Sequence, residues 1–236
     1  MPGNSYSILC TSEMDSANLN FIQENISIDV IPFIEKRICD HEEIEKNIQD
    51  FLQKEITAVF TSQTAVSAVL SKSKNQPPWK IYCIDNATKN AILKFFPQVF
   101  LQGIAANAGS LASMIIANGE KDIVFFCGNK RLNDLPNSLA AAGILLEECV
   151  VYDTFILNTT VQKNYDAIIF CSPSAVEGFF KSNVIRKNTT LFSLGKKTSE
   201  AIQNFSENLT IEASYPDKNQ LLHQAVFFLQ QQITTP

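Results

Sequence analysis

The stretch FTSQTAV at residues 60–66 returns as FCSPSAV at residues 170–176, 110 positions further along the chain. A second pair of stretches keeps this spacing, because IDNAT at 84–88 is matched by LGKKT at 194–198. Two matches at one spacing indicate a duplication. Solenoid repeats are about 20–50 residues long, so a period of this length is that of a whole domain. The sequence therefore predicts two similar domains with a Ser and a Thr at corresponding points.

Short apolar segments alternate with helical patterns along the chain. Between these segments, hydrophobic residues recur at three- and four-residue spacing, as in Ile44, Ile48, Phe51 and Leu52, which is typical of an amphipathic helix. Regular alternation of strand and helix predicts parallel sheets. The predicted fold class is α/β, with two similar parallel-sheet domains of the flavodoxin- or Rossmann-like kind. The predicted strands are 6–10, 28–34, 58–60, 80–84, 99–101, 123–127, 147–152, 167–171, 190–194 and 210–213.

A looser repeat places the domain boundaries. Residues 8–10 and the predicted helix leading to Ile26 resemble residues 125–127 and the predicted helix leading to Ile144. Each piece ends in an extended run, and we predict that these runs cross between the domains near 31–38 and 149–155. A plain split near residue 120 is the alternative. The predicted domains are an inserted one, 36–154, and a discontinuous one, 1–35 with 155–236.

Charge and hydropathy exclude several classes of protein. The net charge of −5 and the isoelectric point of about 5.1 do not suggest attraction to nucleic acid. The sequence has no run of about 18 apolar residues, so we predict no membrane span. Residues 1–12 lack the basic and apolar regions of a signal peptide. We therefore expect a cytoplasmic protein.

Cysteine and histidine usage argues against disulfide and metal chemistry. The six cysteines lie in or beside apolar runs without a Cys-x-x-Cys pair, so we interpret them as buried free thiols. Only His41 and His223 are available to a histidine-based metal site. The sequence also lacks glycine-rich phosphate loops and a legible Ser-His-Asp triad. Neither a cofactor nor a metal is expected.

Ser62 and Ser172 each follow a predicted strand directly. In open parallel sheets, ligands bind beyond the carboxyl ends of the strands, where loops lead into helix N-termini. A serine at this point either contacts a ligand or caps the following helix by accepting a backbone N–H bond. Thr64 and Ser174 can share the capping role, and Pro173 suits a first helical position. The sequence alone leaves both explanations open.

Four predicted helix N-termini are suited to anions. Free N–H groups and the positive end of a helix dipole favour carboxylate or phosphate. These N-termini lie around Ser62, 85–88, Ser172 and 195–198. If two domains face each other, all four are expected to line one cleft. Such a cleft binds a polyanion without many basic side chains, which agrees with the negative net charge.

The two copies differ in how well they suit an anion. Gly195 permits a tight turn and close approach of the backbone, whereas its counterpart Asp85 adds a negative charge. The pair Lys196–Lys197 flanks only the second copy. The pair Lys130–Arg131 follows the strand that ends at Gly128 and can reach the same cleft. For these basic residues, a merely solvated charge is the alternative.

Several motifs, in their order along nearly the whole chain, resemble the uroporphyrinogen-III synthase family. The motifs are FTS at 60–62 with AV at 65–66, G-x-x-R-x-x-x-L-x-x-x-L-x-x-x-G at 128–143, VYDT at 151–154, F-x-SPSAV at 170–176 and LG-x-x-T at 194–198. The sequence departs from the family pattern at Asp85, where Gly is usual, and at Cys171, where Thr is common. The resemblance implies two α/β domains joined by a two-stranded linker, one of them discontinuous.

The resemblance also implies a reaction, the cofactor-free cyclisation of the linear tetrapyrrole hydroxymethylbilane by a lyase of haem biosynthesis. Water leaves the terminal hydroxymethyl group, and ring closure through a spiro intermediate inverts the last pyrrole ring. Tyr152 lies where the family has a functional tyrosine, and it is expected to assist departure of hydroxide. A packed linker aromatic is its alternative role. The expected contacts of substrate carboxylates are Ser62, Thr88, Arg131, Ser172, Ser174, Gly195, Lys196 and Thr198.

Two other functions stay open. One is a non-catalytic two-domain protein that binds a small anion, and the other is a degenerate homologue that acts as a regulator, for which Asp85 is the support. The expected partner is the tetrapyrrole alone, with neither nucleic acid nor membrane, and the expected oligomeric state is a monomer.

Overall fold

Alternating strands and helices make up the computed structural model, which describes residues 6–14 and 25–233. The strands are β1 (Tyr6–Cys10), β2 (Ile26–Val30), β3 (Ile34–Ile38), β4 (Thr57–Phe60), β5 (Lys80–Ile84), β6 (Leu101–Ala105), β7 (Asp122–Gly128), β8 (Leu145–Ile156), β9 (Ala167–Phe170), β10 (Thr190–Ser193) and β11 (Thr210–Glu212). The helices are α1 (Glu42–Leu52), α2 (Gln63–Leu70), α3 (Ala87–Phe95), α4 (Ala108–Ala117), α5 (Asp134–Ala141), α6 (Pro173–Phe180), α7 (Lys196–Gln203) and α8 (Lys218–Ile233).

The chain divides into two compact units. The first unit is residues 1–35 with 155–236, and the second unit is residues 36–154. Both boundaries fall inside strands, one in β3 and one in β8. Two strands therefore carry the chain from one unit to the other.

The first unit contains a five-stranded sheet in the order β2-β1-β9-β10-β11, in which the neighbouring strands are parallel. Alternate residues of its central strands face opposite sides of the sheet. Ile8 and Ile169 pack against α8, whereas Leu9 and Ile168 pack against α6 and α7. Helices cover both faces, which explains why these strands read as continuous apolar runs in the sequence.

The second unit contains a six-stranded sheet in the order β3-β8-β7-β4-β5-β6. Ala58 and Phe60 of β4 pack against α1 and α2, and Val59 packs on the other face against α4 and α5. Strands β4 to β8 are parallel. β3 runs antiparallel to β8, because the Cys39 N–H donates to the Val151 carbonyl whereas the Leu157 N–H donates to the Phe33 carbonyl.

The duplicated motifs show that each unit combines pieces of both sequence copies. The repeat relates β4, β5 and β6 to β9, β10 and β11, and it relates β1 and β2 to β7 and β8. Strands that correspond in the repeat then take the same places in both sheets, β2-β1-β9-β10-β11 and β8-β7-β4-β5-β6. In chain order the first sheet reads 2-1-3-4-5, which is the flavodoxin-like order, whereas the second reads 3-2-1-4-5, which is the Rossmann-like order. Each sheet thus contains two of these strands from one copy and three from the other.

The single extended run predicted over 28–34 is wrong. The structure has two strands there, β2 and β3, with a bend between them. Pro32 lacks the N–H that a continuing ladder needs. Phe33 turns into the core, where it is fully buried and its ring lies 5.1 Å from that of Phe179. The strand predicted at 99–101 is found at Leu101–Ala105, and the helix predicted before Ile26 lies outside the described residues.

The crossed arrangement predicts which fragment folds alone. Residues 36–154 contain both hydrophobic clusters of the second unit, so this fragment should unfold cooperatively in urea and give dispersed amide signals by NMR. The matched control is the fragment 1–120, which is one sequence copy of similar length. It should stay unfolded, because β1 lacks β9 and β4 lacks β7. A folded 1–120 fragment would instead support the plain split.

Candidate functional site

Ser62 begins the site in the second unit. It follows β4 directly, at the carboxyl edge of the sheet, by which we mean the edge where the parallel strands end. Its backbone is extended and its Oγ accepts a hydrogen bond from the Ala65 N–H at 3.1 Å. This is an N-cap of α2, worth about 1 kcal/mol. The capping role predicted for Ser62 is confirmed.

Tyr152 lies at the same edge, opposite the last residue of β7, and a β-bulge in β8 determines the face of the sheet on which it packs. Cys127 of β7 pairs with Val150, but Gly128 pairs with Tyr152, so Val151 is an extra residue. Side chains alternate between faces along a regular strand, and an extra residue reverses the alternation beyond it. Val151 and Tyr152 consequently pack on one face of the sheet, the face covered by α1 and α2.

The Tyr152 phenol lies in a closely packed position and is only 8% exposed. A Cβ atom at Gly128 would lie 2.4 Å from Tyr152 Cζ and 2.8 Å from its hydroxyl oxygen, so the ring rests on the glycine. The Ser62 side chain lies near enough to the phenol to lower its pKa. The Lys36 Nζ lies 5.6 Å from the ring centroid. The structure thus brings together two of the predicted site residues, Ser62 and Tyr152.

Burial raises the pKa of the Tyr152 phenol above its usual value, because the apolar surroundings disfavour the phenolate. The Ser62 side chain acts in the opposite direction, and the nearby Cys127 thiol adds to the rise in pKa. At neutral pH the phenol therefore carries its proton.

Arg131, which was predicted to contact substrate, is paired with Glu148. Its Nε and Nη2 donate to the two carboxylate oxygens of Glu148 at 2.7 and 2.6 Å. Its Nη1 donates to the Asn133 side chain. The hydrogen bonds to Glu148 raise the pKa of the guanidinium. A substrate carboxylate can reach Arg131 only by sharing it with Glu148.

The turn between β5 and α3 corrects the comparison of Asp85 with Gly195. The strand registers of the two copies correspond at the 110-residue spacing. The helices do not, because the N-cap of α3 is Asn86 and that of α7 is Gly195. The turn in the second unit is therefore one residue longer, and Asn86 holds the position equivalent to Gly195. Thr88 is the second residue of α3 and is 5% exposed.

Asn86 has the backbone conformation that favours glycine, with φ at 64° and ψ at −122°. Its N–H donates to Asp85 Oδ1 at 2.8 Å, and this bond is the main reason that the pKa of Asp85 is lowered. Lys89 lies 3.3 Å from the same carboxylate oxygen. The negative charge of Asp85 is thus compensated within the turn.

Ser172 and Ser174 lie at the carboxyl edge of the first unit. Ser172 Oγ accepts from the Ala175 N–H at 3.2 Å and lies 3.1 Å from Ser174 Oγ. Pro173 is the first residue of α6, as the sequence predicts. The capping role predicted for Ser172 is therefore confirmed, and its hydroxyl belongs to a pair that lies at the end of β9.

Gly195, Lys196 and Thr198 form the start of α7, after the neighbouring strand β10. Lys196 is exposed, whereas Thr198 is 4% exposed and its N–H donates to the Gly195 carbonyl at 2.9 Å. The backbone at Gly195 does not use the freedom of glycine that a tight turn would need, because its φ of 177° is extended and open to any residue. Among the described residues, no atom lies within 4 Å of where its Cβ would be. Glycine is also one of the residues preferred at the N-cap of a helix, which is the position of Gly195.

Three further predictions concern the cysteine thiols, metal binding and membrane spans. All six cysteines are free thiols, and five are buried as predicted; Cys171 is half-buried, because it lies just beyond the end of β9. Within residues 6–14 and 25–233, no cluster of three His, Cys, Asp or Glu side chains is arranged to hold a metal ion. In the same part of the chain, no helix has the length and apolar character needed to cross a membrane.

Sequence analysis missed Asn129, Lys36 and Glu148. Asn129 directly follows Gly128 at the end of β7, and this position at a strand end was the available signal. Lys36 and Glu148 gave no local signal, since their contacts depend on how β8 pairs with β3 and β7. The bulge at Val151 was likewise invisible, because it is a property of the strand pair.

A family model described as "Uroporphyrinogen-III synthase HemD" matches residues 20–223. The chain belongs to the uroporphyrinogen-III synthase family. This confirms the resemblance drawn from the motifs. No curated protein gives a significant match to the chain.

Solved structures of uroporphyrinogen-III synthases share the fold. A mutant uroporphyrinogen III synthase from Thermus thermophilus aligns with a TM-score of 0.68 at 12% identity, over 96% of this chain and 100% of that one. The uroporphyrinogen-III synthetase from Helicobacter pylori aligns with a TM-score of 0.65 at 18% identity, over 94% of this chain and 99% of that one. These likenesses confirm the predicted fold class.

Replacing Gly128 by Ala tests whether the Tyr152 ring packs directly on the glycine. The added Cβ must displace the Tyr152 ring, and we expect the free energy of unfolding to fall by about 1–3 kcal/mol, as in other overpacked cores. The Tyr152 signal should move in NMR spectra of protein labelled at tyrosine Cζ, where Tyr152→Phe identifies it. Gly103→Ala is the matched control, because its Cβ would press on Tyr82 at 2.5 Å. It should destabilise similarly and leave the Tyr152 signal in place.

Asn86→Gly tests the conformation of the long turn. Glycine adopts a φ of 64° without steric cost, so we expect the substitution to raise the free energy of unfolding by about 1 kcal/mol in urea titrations. Asn90→Gly, four residues later inside α3, should lower it by a similar amount. Equal destabilisation by both changes would show that Asn86 is not strained in solution.

Proposed function

We propose that this protein converts hydroxymethylbilane into uroporphyrinogen III, closing the ring with inversion of the last pyrrole and loss of water. The observation that carries the proposal is the buried, protonated phenol of Tyr152 at the carboxyl edge of a sheet, beside the N-terminus of α2. Membership of the uroporphyrinogen-III synthase family supplies the substrate class. Loss of water with ring closure makes the proposed enzyme a lyase.

Tyr152 is proposed to act as the acid in the first step. The bond between the terminal hydroxymethyl carbon and its oxygen breaks, the phenol proton goes to the departing oxygen, and water leaves. The neighbouring pyrrole donates electron density to the carbocation that remains. Attack of this carbocation on the substituted carbon of the last ring forms the spiro intermediate, whose rearrangement inverts that ring. Loss of a proton restores aromaticity, and protonation of the phenolate returns Tyr152 to its starting state.

The contacts of Tyr152 suit this role. The Ser62 side chain lowers the pKa of the phenol, so it favours the phenolate that forms when the proton leaves. The positive end of the α2 dipole lies at Ser62 and stabilises the negative charge that develops as the proton leaves.

The helix N-termini at both carboxyl edges are proposed to bind the substrate carboxylates. Free N–H groups at the starts of α2, α3, α6 and α7 provide hydrogen bonds and a favourable dipole. This explains how a protein with a net charge of −5 binds a polyanion. We assign carboxylate contacts to Ser62, Thr88, Arg131, Ser172, Ser174, Gly195, Lys196 and Thr198. One chain contains all of these groups, so a monomer is proposed as the active form.

The test is an isomer assay. Purified protein is incubated with freshly generated hydroxymethylbilane, the products are oxidised, and uroporphyrins I and III are separated by chromatography. We expect isomer III above the level of the no-enzyme control. Tyr152→Phe should lower kcat by about 100-fold or more, because it removes a general acid. Tyr82→Phe is the matched control, since Tyr82 is a buried, hydrogen-bonded tyrosine of the same unit at a distance from the edge.

Two outcomes would contradict the proposal. Isomer I alone, from protein shown to be folded, would reject the enzyme and leave an anion-binding protein or a regulatory homologue. Isomer III formed at an unchanged rate by Tyr152→Phe would keep the enzyme and remove the acid role of Tyr152.

A further inference from the structure

We propose that Asn129 is a positioning residue, which places the Tyr152 side chain by fixing the β-bulge at Val151. The inference rests on the proposed role of the Tyr152 phenol. Asn129 does not belong to the set of residues expected from the sequence to bind substrate, and its assignment comes from two hydrogen bonds to the backbone of β8.

The bulge has a direct consequence for the phenol. Without the extra residue, Gly128 would pair with Val151, and Tyr152 would follow on the opposite face of the sheet, where Val150 packs. With the bulge, Tyr152 lies on the face of Gly128 and Ser62. The position of the phenol thus depends on which of two strand registers is held.

Asn129 holds the bulged register at Tyr152 and two residues beyond it. Its backbone N–H donates to the Tyr152 carbonyl at 3.2 Å. Its side-chain Oδ1 accepts from the Thr154 N–H at 2.8 Å. Residues 152 and 154 are therefore both fixed by one residue. In the unbulged register these two bonds would fall on other residues of β8.

The side chain of Asn129 supplies a hydrogen-bond acceptor that a longer β7 would otherwise provide. β7 ends at Gly128, whereas β8 continues to Ile156, so the Thr154 N–H extends beyond the last residue of its neighbour. Thr154 is a buried residue, and a buried N–H needs an acceptor. An amide oxygen on a short side chain at position 129 supplies it. Aspartate would also place an oxygen there, whereas alanine would not.

Three variants test the proposal in the full chain. Asn129→Ala removes the acceptor, and Asn129→Asp keeps it. Asn137→Ala, an exposed asparagine on α5, is the matched control. We expect Asn129→Ala to lower kcat about 10- to 100-fold, the usual effect of a small misplacement of a reacting group, with KM within about 3-fold. Asn129→Asp and Asn137→Ala should stay within about 3-fold of the natural protein. Asn129→Gln, which moves the amide oxygen outward, replaces Asn129→Ala if that variant does not fold.

Two further measurements separate positioning from a general structural effect. In NMR spectra of protein labelled at tyrosine Cζ, the Tyr152 signal should move or broaden in Asn129→Ala, while the signals of the other four tyrosines stay unchanged. In the Tyr152→Phe background, Asn129→Ala should lower kcat by less than about 3-fold, because the group that it positions is already gone.

The outcomes that would overturn the proposal differ from those that would overturn the proposed function. An unmoved Tyr152 signal rejects positioning by Asn129, even if the protein forms isomer III. A rise in KM with kcat unchanged would assign Asn129 to substrate contact instead, and equal losses in both backgrounds would also reject positioning. If the natural protein forms no isomer III, the proposed function fails, and the NMR signal alone decides whether Asn129 fixes Tyr152.

Discussion

Parallel pairing between strands that are far apart in the sequence is the constraint on which the structure depends. β1 pairs with β9, which brings Ile8 beside Ala167, and β4 pairs with β7. Each of these pairs joins the two sequence copies at the centre of a sheet. Because neither copy can complete a sheet alone, the chain must pass between the units twice. The long loops closed by these pairings cost entropy before any contact compensates for it, which is the reason that such topologies fold slowly.

The two crossings explain why the candidate site lies where it does. β8 is the longest strand of the described residues, since it completes the second unit and then carries the chain into the first. A strand that extends beyond its neighbour β7 has backbone groups without a ladder partner. The bulge and Asn129 occur at this point, and so does Tyr152. The same topology that builds the sheets thus creates an irregular strand end at which a side chain can be redirected.

Residue types with a local structural role could be predicted from the sequence, whereas roles set by strand pairing could not. Ser62 and Ser172 were identified because an N-cap needs only the strand end before it and the helix after it. Tyr152 was identified through its resemblance to the family pattern. The face of the sheet on which its side chain packs could not be derived, since one extra residue in β8 moves the side chain to the opposite face. Asp85 was aligned with Gly195 because a short sequence match does not show that the turn before α3 is one residue longer than the turn before α7. The pairing of Arg131 with Glu148 depends on a register that no local pattern encodes.

Burial of Tyr152 has two opposing effects on its proposed chemistry. Apolar surroundings raise the pKa of the phenol, which keeps the proton in place at neutral pH but makes the phenol a weaker acid. A useful acid therefore needs groups that stabilise the phenolate only as it forms. Ser62 and the N-terminus of α2 are such groups, since the Ser62 side chain lowers the pKa of the phenol and caps the positive end of the helix. Their benefit requires the phenol oxygen to stay close to Ser62. Gly128 provides the space for the ring in this position, and the fixed bulge sets the direction of the ring. The proposed acid strength of Tyr152 therefore depends on the backbone of β7 and β8 as much as on its immediate neighbours.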